Sequence, residues 1–263
     1  WGSWFRERKC AIAPVNKIEL RIMDDFHPDL RGVRLLDEIN TLIDDDPSFR
    51  HPLFGRKTAL WEECRDLFQQ WYLGEDLYRD TYGCSISYTP KPGLIHNEEP
   101  LNGRDKTHAA LAALQRAGYK IGIATGRPRK EILTPLKEWK AVSYFDSERI
   151  VTHDEVEEAE KELKQNGITD TLSKPHPYVF LKSIRPDLDV MDLYRLSNSP
   201  LPGRDKVLIV GDAMADIWAA QKIDCPCVAL LSGAMGESGR RDMESAHPEI
   251  ICHDFIELAE ALV

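Results

Sequence analysis

The sequence has no apolar run long enough to cross a membrane, and this absence excludes a class of protein. A membrane-spanning helix needs about 18 or more apolar residues in succession, and no run in the chain approaches that length. The opening residues 1–13 are charged, and their apolar part is too short for a signal peptide. We therefore expect no membrane segment and no membrane partner.

Cysteine is scarce and scattered: the 263 residues include six, and only Cys225 and Cys227 lie close together. This spacing is not that of a disulfide framework. A zinc or redox site would need further ligands at metal spacing, which the sequence does not offer around this pair. The pattern favours small buried side chains and predicts a reducing, intracellular compartment, the cytoplasm.

A basic excess is also missing, because 34 Lys and Arg residues stand against 44 Asp and Glu residues, a formal net charge of -10. Nucleic-acid binding proteins carry a basic patch, so we expect no nucleic-acid partner. The acidic balance suits a metal-dependent site better. The remaining composition is ordinary for a globular protein, and the length allows one large domain or two modest ones.

Glycine and proline are concentrated between residues 83 and 103, and we place a domain boundary there. In the preceding domain, residues 1–100, residues 17–23 alternate like a strand and residues 30–43 have helical spacing. Residues 58–73 predict an amphipathic helix with an aromatic-rich face, which core packing or a substrate contact would explain.

The second domain, residues 101–263, alternates between helical and strand patterns. Short apolar runs that end at polar or glycine steps predict buried parallel strands. These strands are expected at residues 119–125, 149–152, 207–210, 227–231 and 249–252. Strands alternating with helices predict an α/β fold with a doubly wound parallel sheet, whose ligands bind beyond the carboxyl ends of the strands.

Asp212 and Asp216 follow the apolar run 207–210 in the stretch Gly-Asp-Ala-Met-Ala-Asp. Asp212 comes directly after the strand, and Asp216 lies at the start of a predicted helix, so both carboxylates can face one point. Two hard oxygen ligands at such a point suit Mg²⁺. An N-cap Asp followed by a solvated helix Asp would give the same sequence.

Two other segments bring chemistry to the same edge. Thr125 and Gly126 end a predicted strand, where a hydroxyl and backbone N–H groups form a cradle for an anion, although a Thr there could simply cap the next helix. Lys174, in Ser-Lys-Pro-His-Pro, precedes a helix and could neutralise a phosphoryl group or lie on the surface as a solvated Lys. Arg127 is a further candidate phosphate contact.

Three motifs in this order resemble the haloacid dehalogenase-like (HAD) superfamily: IGIATGRP with Thr125, KPHP with Lys174, and GDxxxD with Asp212 and Asp216. The resemblance covers about residues 94–263, and the closing turn, strand and helix resemble the phosphoglycolate phosphatase-like branch. It implies a Rossmann-like core domain, preceded here by a large, mostly helical cap domain.

The resemblance implies a phosphatase that transfers a phosphoryl group from a small phosphorylated metabolite to an aspartate, with Mg²⁺ as cofactor. It implies that Thr125 and Lys174 are catalytic and that they bind the phosphate together with Gly126 and Arg127. The two aspartates of the GDxxxD motif would hold the metal, directly or through water.

The first motif of the family, DxDx[TV] after an apolar strand, supplies the nucleophile and the general acid, and this sequence lacks it. Asp24 and Asp25 follow an apolar run, but Phe26 stands where the second Asp of the motif should be. Asp187 and Asp189 have the right spacing, but they lie between the lysine motif and the GDxxxD motif, which is the wrong place.

Two expectations follow from the missing motif. In the first, the chain is the C-terminal part of a longer phosphatase, whose N-terminal segment supplies the nucleophile and the central strand. In the second, the chain is a pseudo-phosphatase that folds with another strand, such as residues 17–23, in the gap and binds a phosphorylated ligand or partner without turnover. A dehalogenase is a third option, which the pair of metal-binding carboxylates disfavours.

Overall fold

The chain divides into two compact units, residues 1–94 and residues 95–263. The computed structural model describes residues 59–87, 91–233 and 236–263. The strand expected at residues 17–23 and the helix expected at 30–43 lie outside the described residues. Within the described ranges, none of the helices combines the length and the apolar character that crossing a bilayer would require.

In the first unit, helix α1 (Ala59–Tyr82) is longer than the helix expected at 58–73, and it is interrupted at Gly74, which has a φ of 73° and a ψ of 176°. The aromatic-rich face is not explained by core packing, because Phe68 is 58% and Trp71 54% exposed. The buried positions include polar Gln70, which donates a hydrogen bond to Asp66 at 2.6 Å. Apolar periodicity therefore could not identify the buried face.

The second unit alternates helices and strands, as expected for an α/β fold. Its helices are α2 (Arg104–Arg116), α3 (Arg129–Glu138), α4 (His153–Gln165), α5 (Tyr178–Ile184), α6 (Val190–Leu196), α7 (Met214–Lys222), α8 (Arg240–Ser245) and α9 (Phe255–Leu262). Its strands are β1 (Ile123–Ala124), β2 (Ile150–Val151), β3 (Ile209–Gly211), β4 (Cys227–Leu230) and β5 (Ile250–Cys252).

All strand pairs in the second unit are parallel. Strand β1 pairs with β2, while β3, β4 and β5 form a three-stranded sheet in that order. The strands are shorter than expected. At β1 one reason is local: the Tyr119 N–H donates to the Leu114 carbonyl at 3.1 Å, so the first residue of the expected strand serves to end helix α2.

Helices cover both faces of the three-stranded sheet. Adjacent residues of a strand point to opposite faces. On β4, Ala229 belongs to the main core cluster together with Ile217 of α7, while Val228 clusters with Leu258 of α9. Helix α2 packs against α9. The arrangement is the doubly wound α/β architecture expected from the sequence.

The two sheets are not joined by a strand within the described part of the chain. Beside the edge of β3 that pairs with no other described strand, Leu208 is 37% and Val210 38% exposed, although Val228, the register partner of Val210 on β4, is buried. Exposed apolar side chains beside a sheet edge are a feature that a further strand would remove. A strand inserted between β1 and β3 would cover Leu208 and Val210.

Candidate active site

Thr125 lies directly after β1 and holds the turn that leads into α3. Its backbone N–H donates to the Val151 carbonyl at 3.0 Å, which extends the pairing with β2 by one residue. Its Oγ1 atom accepts a hydrogen bond from the Arg127 N–H at 3.2 Å. The hydroxyl therefore stabilises the turn, and it retains a hydrogen that it can donate to an anion.

Gly126 and Arg127 form the turn after Thr125. Gly126 is exposed, and a Cβ atom placed on it would meet no atom within 4 Å, so a ligand can approach its backbone closely. The Arg127 guanidinium is directed towards carboxylates: it contacts both oxygens of Glu98 at 3.1 and 3.3 Å, and its Nε atom lies 3.6 Å from Oε2 of the buried Glu131. A phosphate would have to compete with Glu98 for this side chain.

Lys174 joins the two sheets through its ammonium group. The side chain, which is 23% exposed, leaves the loop between α4 and α5, and Nζ lies 2.8 Å from the carbonyl oxygen of Ala124 at the end of β1. Nζ also lies 2.8 Å from Oδ1 of Asp216, in an ionic contact that lacks the geometry of a directed hydrogen bond. The Phe180 ring is 4.6 Å below the ammonium.

Asp216 is buried rather than solvated, which removes the interpretation of this residue as a surface helix Asp. Its side chain is 5% exposed and lies in the first turn of α7. Its Oδ2 atom accepts hydrogen bonds from the backbone N–H groups of Asp212 and Ala213, at 3.2 Å each. The carboxylate thus fixes the backbone on which Asp212 is mounted, directly after β3.

Two glycines make room for these carboxylates. A Cβ atom on Gly211 would overlap the Asp216 side chain, and a Cβ atom on Gly233 would overlap the carboxylate of Asp212. Gly233 lies in the turn after β4 and was not among the site residues expected from the sequence. A glycine has no side-chain chemistry to reveal it, and the only sequence signal was its place in the turn at residues 232–236.

The structure therefore brings together Thr125, Lys174, Asp212 and Asp216 at the carboxyl ends of β1 and β3. The two carboxylates and one ammonium give a formal charge of -1, so an anionic phosphate would need a further cation. No group of three or more metal-ligating side chains occurs in the described residues. Two carboxylates are nevertheless enough for Mg²⁺, which keeps several waters and often takes its other ligands from a substrate phosphate.

His176 follows Lys174 by two residues and is neutral at physiological pH. Burial lowers its pKa from the ordinary value of 6.5 to about 4, and the nearby Lys222 ammonium acts in the same direction. Asp170 and Glu160 act against this shift but do not cancel it. The ring Nδ1 accepts a hydrogen bond from the Tyr178 N–H at 3.2 Å.

Parallel strands, helices on both sheet faces and polar groups at the strand ends define a protein of the α/β class, in which ligands bind at the carboxyl edge of the sheet. The family within this class follows from comparison: residues 88–230, more than half of the chain, match the haloacid dehalogenase-like hydrolase model. The chain belongs to this family, as the three motifs indicated.

Similar proteins of this family include phosphatases. A phosphoglycolate phosphatase of Yersinia pseudotuberculosis is 28% identical over 155 residues, which are 59% of this chain and 53% of that protein. The pyrophosphatase PpaX of Bacillus mycoides is 26% identical over 167 residues, 64% of this chain and 63% of that protein. The chain thus spans between about half and two thirds of the length of these relatives.

A solved structure extends the likeness to almost the whole chain. An X-ray structure of a Northeast Structural Genomics Consortium target superposes with a TM-score of 0.75 at 27% sequence identity. The match covers 97% of this chain and 66% of that chain. This chain thus spans about two thirds of the length of that protein.

Proposed function

We propose that the complete protein is a Mg²⁺-dependent phosphatase that acts on a small phosphorylated metabolite through an aspartyl-phosphate intermediate. The observation that carries this proposal is the position of the Lys174 ammonium, between the end of β1 and the buried Asp216. A fixed positive charge at this point faces the site where a phosphoryl group bound at Thr125 would accumulate negative charge.

In this proposal, Thr125 and Gly126 bind the phosphoryl oxygens through the hydroxyl and the open backbone of the turn. Lys174 balances the charge of the phosphate and of the attacking carboxylate, since an ammonium acts as a point charge. Arg127 contacts the phosphate only if it is released from Glu98. Among the proposed phosphate contacts, Arg127 is therefore the one that must first leave a carboxylate partner.

The metal would be held by the carboxylate of Asp212, and by Asp216 through water. This division of roles is supported by the contacts of Asp216, whose two oxygens are already engaged by Lys174 and by two backbone N–H groups. Bound Mg²⁺ would supply electrostatic stabilisation of the phosphate charge. Asp216 keeps the backbone of Asp212 in place whether or not it touches the metal.

The nucleophile is proposed to lie in an N-terminal segment that this sequence does not contain and that would act as an intramolecular partner. Asp187 and Asp189 do not fit that role, because Asp187 is paired with Arg185 at 2.7 Å and Asp189 caps α6 through the Asp192 N–H. The division between β1 and β3 in the described residues supports the insertion of a strand there. An aspartate at the carboxyl end of such a strand would face Lys174.

The test compares this chain with the product of the full reading frame in hydrolysis of p-nitrophenyl phosphate with and without Mg²⁺. We expect Mg²⁺-dependent turnover by the longer protein and loss of turnover in its Lys174→Ala variant. A matched control is Lys182→Ala, because Lys182 donates to the carbonyls of Pro186 and Leu188 away from the site. Activity that is independent of Mg²⁺ or of Lys174 would contradict the proposal.

A second function, a pseudo-phosphatase that binds a phosphorylated ligand without turnover, is favoured by the absence of DxDx[TV] from the sequence. It predicts that this chain binds inorganic phosphate in calorimetry and that neither this chain nor the longer protein hydrolyses an aryl phosphate. Turnover by either protein would rule it out. The two relatives carry different substrate names, so they support phosphate chemistry rather than one particular metabolite.

We also propose a reducing compartment, the cytoplasm. The support is chemical: Cys225 and Cys227 are buried free thiols, and burial raises their pKa values to about 11 and about 12. Such thiols are unreactive and behave as small apolar side chains.

A further inference from the structure

The position of the Lys174 ammonium depends on the loop that carries it. Residues 168–177, here called the lysine loop, connect α4 to α5. A Lys side chain has several rotatable bonds, and holding its ammonium at one point requires a fixed backbone beneath it. The contacts that fix the lysine loop are therefore part of the site, even where they do not touch a ligand.

The first half of the lysine loop is held by α4. Oε1 of Glu160 accepts hydrogen bonds from the Leu172 N–H at 2.7 Å and from the Thr171 hydroxyl at 3.1 Å. The Leu172 side chain is completely buried in the main core cluster. These contacts fix the backbone up to two residues before Lys174.

Tyr194 of α6 contacts the lysine loop on both sides of Lys174. Its hydroxyl donates a hydrogen bond to Oδ2 of Asp170, four residues before the lysine. Its ring is stacked with the ring of His176, two residues after the lysine, at 6.2 Å between centroids and 7° between planes. One side chain outside the loop thus holds both ends of the segment that contains Lys174.

His176 transmits this contact to the loop backbone. The backbone N–H of His176 donates to the Ser173 carbonyl at 3.0 Å, and this bond closes a turn around Lys174 and Pro175. Its Nδ1 atom accepts from the Tyr178 N–H at the start of α5. A shift of the His176 ring would therefore move the turn on which the lysine is mounted.

We infer that Tyr194 is a positioning residue that fixes the Lys174 ammonium at the phosphate site by holding Asp170 and His176. The contacts of Tyr194 with the lysine loop are made to Asp170 and His176. The inference concerns the lysine loop and deepens the proposed function, on which only its phosphate-binding consequence rests.

The first experiment does not depend on phosphate. The rate at which an amine-acetylating reagent modifies Lys174 is measured by peptide mass spectrometry in the wild-type chain, Tyr194→Leu and Tyr194→Phe. We expect Lys174 to be modified about fivefold faster in Tyr194→Leu, because the free energy of one lost aromatic contact corresponds to a factor of about this size. In Tyr194→Phe, which keeps the ring, the increase should be smaller. Lys182 is the internal control, because its two carbonyl contacts do not involve Tyr194.

The second experiment measures inorganic phosphate binding with Mg²⁺ by calorimetry in a double-mutant cycle. Tyr194→Leu should weaken binding about fivefold in the wild-type background and have no further effect in Lys174→Ala, since it acts through that ammonium. The matched control is Tyr144→Leu, because Tyr144 also contacts a histidine, His108, with rings 5.4 Å apart in the same unit. The control variant should bind phosphate like the wild type.

The outcomes separate the two ideas. Unchanged Lys174 modification in Tyr194→Leu, or equal acceleration at Lys182, would overturn the positioning role. Phosphate losses from Tyr194→Leu that are the same with and without Lys174 would also overturn it. If Lys174→Ala binds phosphate as tightly as the wild type, the proposed function is contradicted. The modification rates would still decide the role of Tyr194.

Discussion

Replacing Lys174 with Met is the most direct test of the contact between the two sheets. Methionine keeps most of the side-chain length and the packing against Phe180, but it removes the charge from the side of Asp216. The buried carboxylate would then keep only its two backbone donors, the N–H groups of Asp212 and Ala213. The variant therefore leaves a buried charge without its cation.

The size of the effect follows from the exposure of the two partners. Removing one partner of a fully buried ion pair costs about 3–5 kcal/mol. Lys174 is 23% exposed and Asp216 retains two hydrogen bonds, and both features reduce the cost. We expect Lys174→Met to lower the free energy of unfolding by about 2–3 kcal/mol, against about 1 kcal/mol for Lys182→Met, which leaves only neutral carbonyls without a donor.

The assay is urea denaturation of four proteins: the wild type, Lys174→Met, Asp216→Asn and the double variant. Asparagine keeps an oxygen for the backbone donors and removes the charge, so the double variant should recover part of the loss, with a coupling of about 1–2 kcal/mol. Strictly additive effects would refute the reasoning. They would mean that the 2.8 Å contact contributes nothing to the stability of the folded chain.

The remaining predictions in this region concern neighbouring residues. Asp212→Asn should weaken Mg²⁺ binding in calorimetry by about tenfold and change the free energy of unfolding by less than about 1 kcal/mol; equal Mg²⁺ affinity would contradict the metal assignment. Gly233→Ala should also weaken Mg²⁺ binding, because its Cβ would overlap the Asp212 carboxylate. Gly126→Ala should weaken phosphate binding in calorimetry, and it should change the free energy of unfolding by less than about 0.5 kcal/mol. Folding lowers the pKa of His176 from 6.5 to about 4, so the unfolded chain binds more protons between these pH values. The free energy of unfolding should therefore be largest above pH 6.5 and decrease by about 1–2 kcal/mol towards pH 4. His176→Asn should flatten this part of the profile in urea denaturation, and an unchanged profile would assign the pH dependence to other groups.

The sequence predicted the second unit well because its signals are local. Apolar runs ending at Thr125 and at Gly211 placed two strands, and the polar residues that follow each strand then had to lie at one edge of a parallel sheet. In the structure, the Lys174 ammonium lies 2.8 Å from the Ala124 carbonyl at the end of one of these strands and 2.8 Å from Asp216 after the other. The roles of these residues in binding and catalysis remain predictions.

Other features depend on contacts between residues far apart in the chain, and no local pattern encodes them. Asp216 is bound by Lys174, which lies 42 positions earlier, and Arg127 is bound by Glu98 rather than left available to a ligand. Helix α6 begins after Asp189, whose carboxylate caps it by accepting from the Asp192 N–H, although the sequence alone also allows Asp189 in a nucleophile motif. An acidic residue at an N-cap and one at a catalytic position are alike in sequence.

Under the proposed function, the ion pair between Lys174 and Asp216 would leave negative charge that a metal ion has to balance. The lysine already balances one carboxylate in the structure, so it cannot by itself neutralise Asp212, a phosphate and a further attacking aspartate. Three added negative groups around one ammonium would repel one another strongly in a partly buried site. A divalent cation at Asp212 would offset that repulsion, so the affinity for phosphate should rise with Mg²⁺ concentration in calorimetry. Phosphate binding that is independent of Mg²⁺ would show that the charge of Lys174 is not divided between Asp216 and the phosphate.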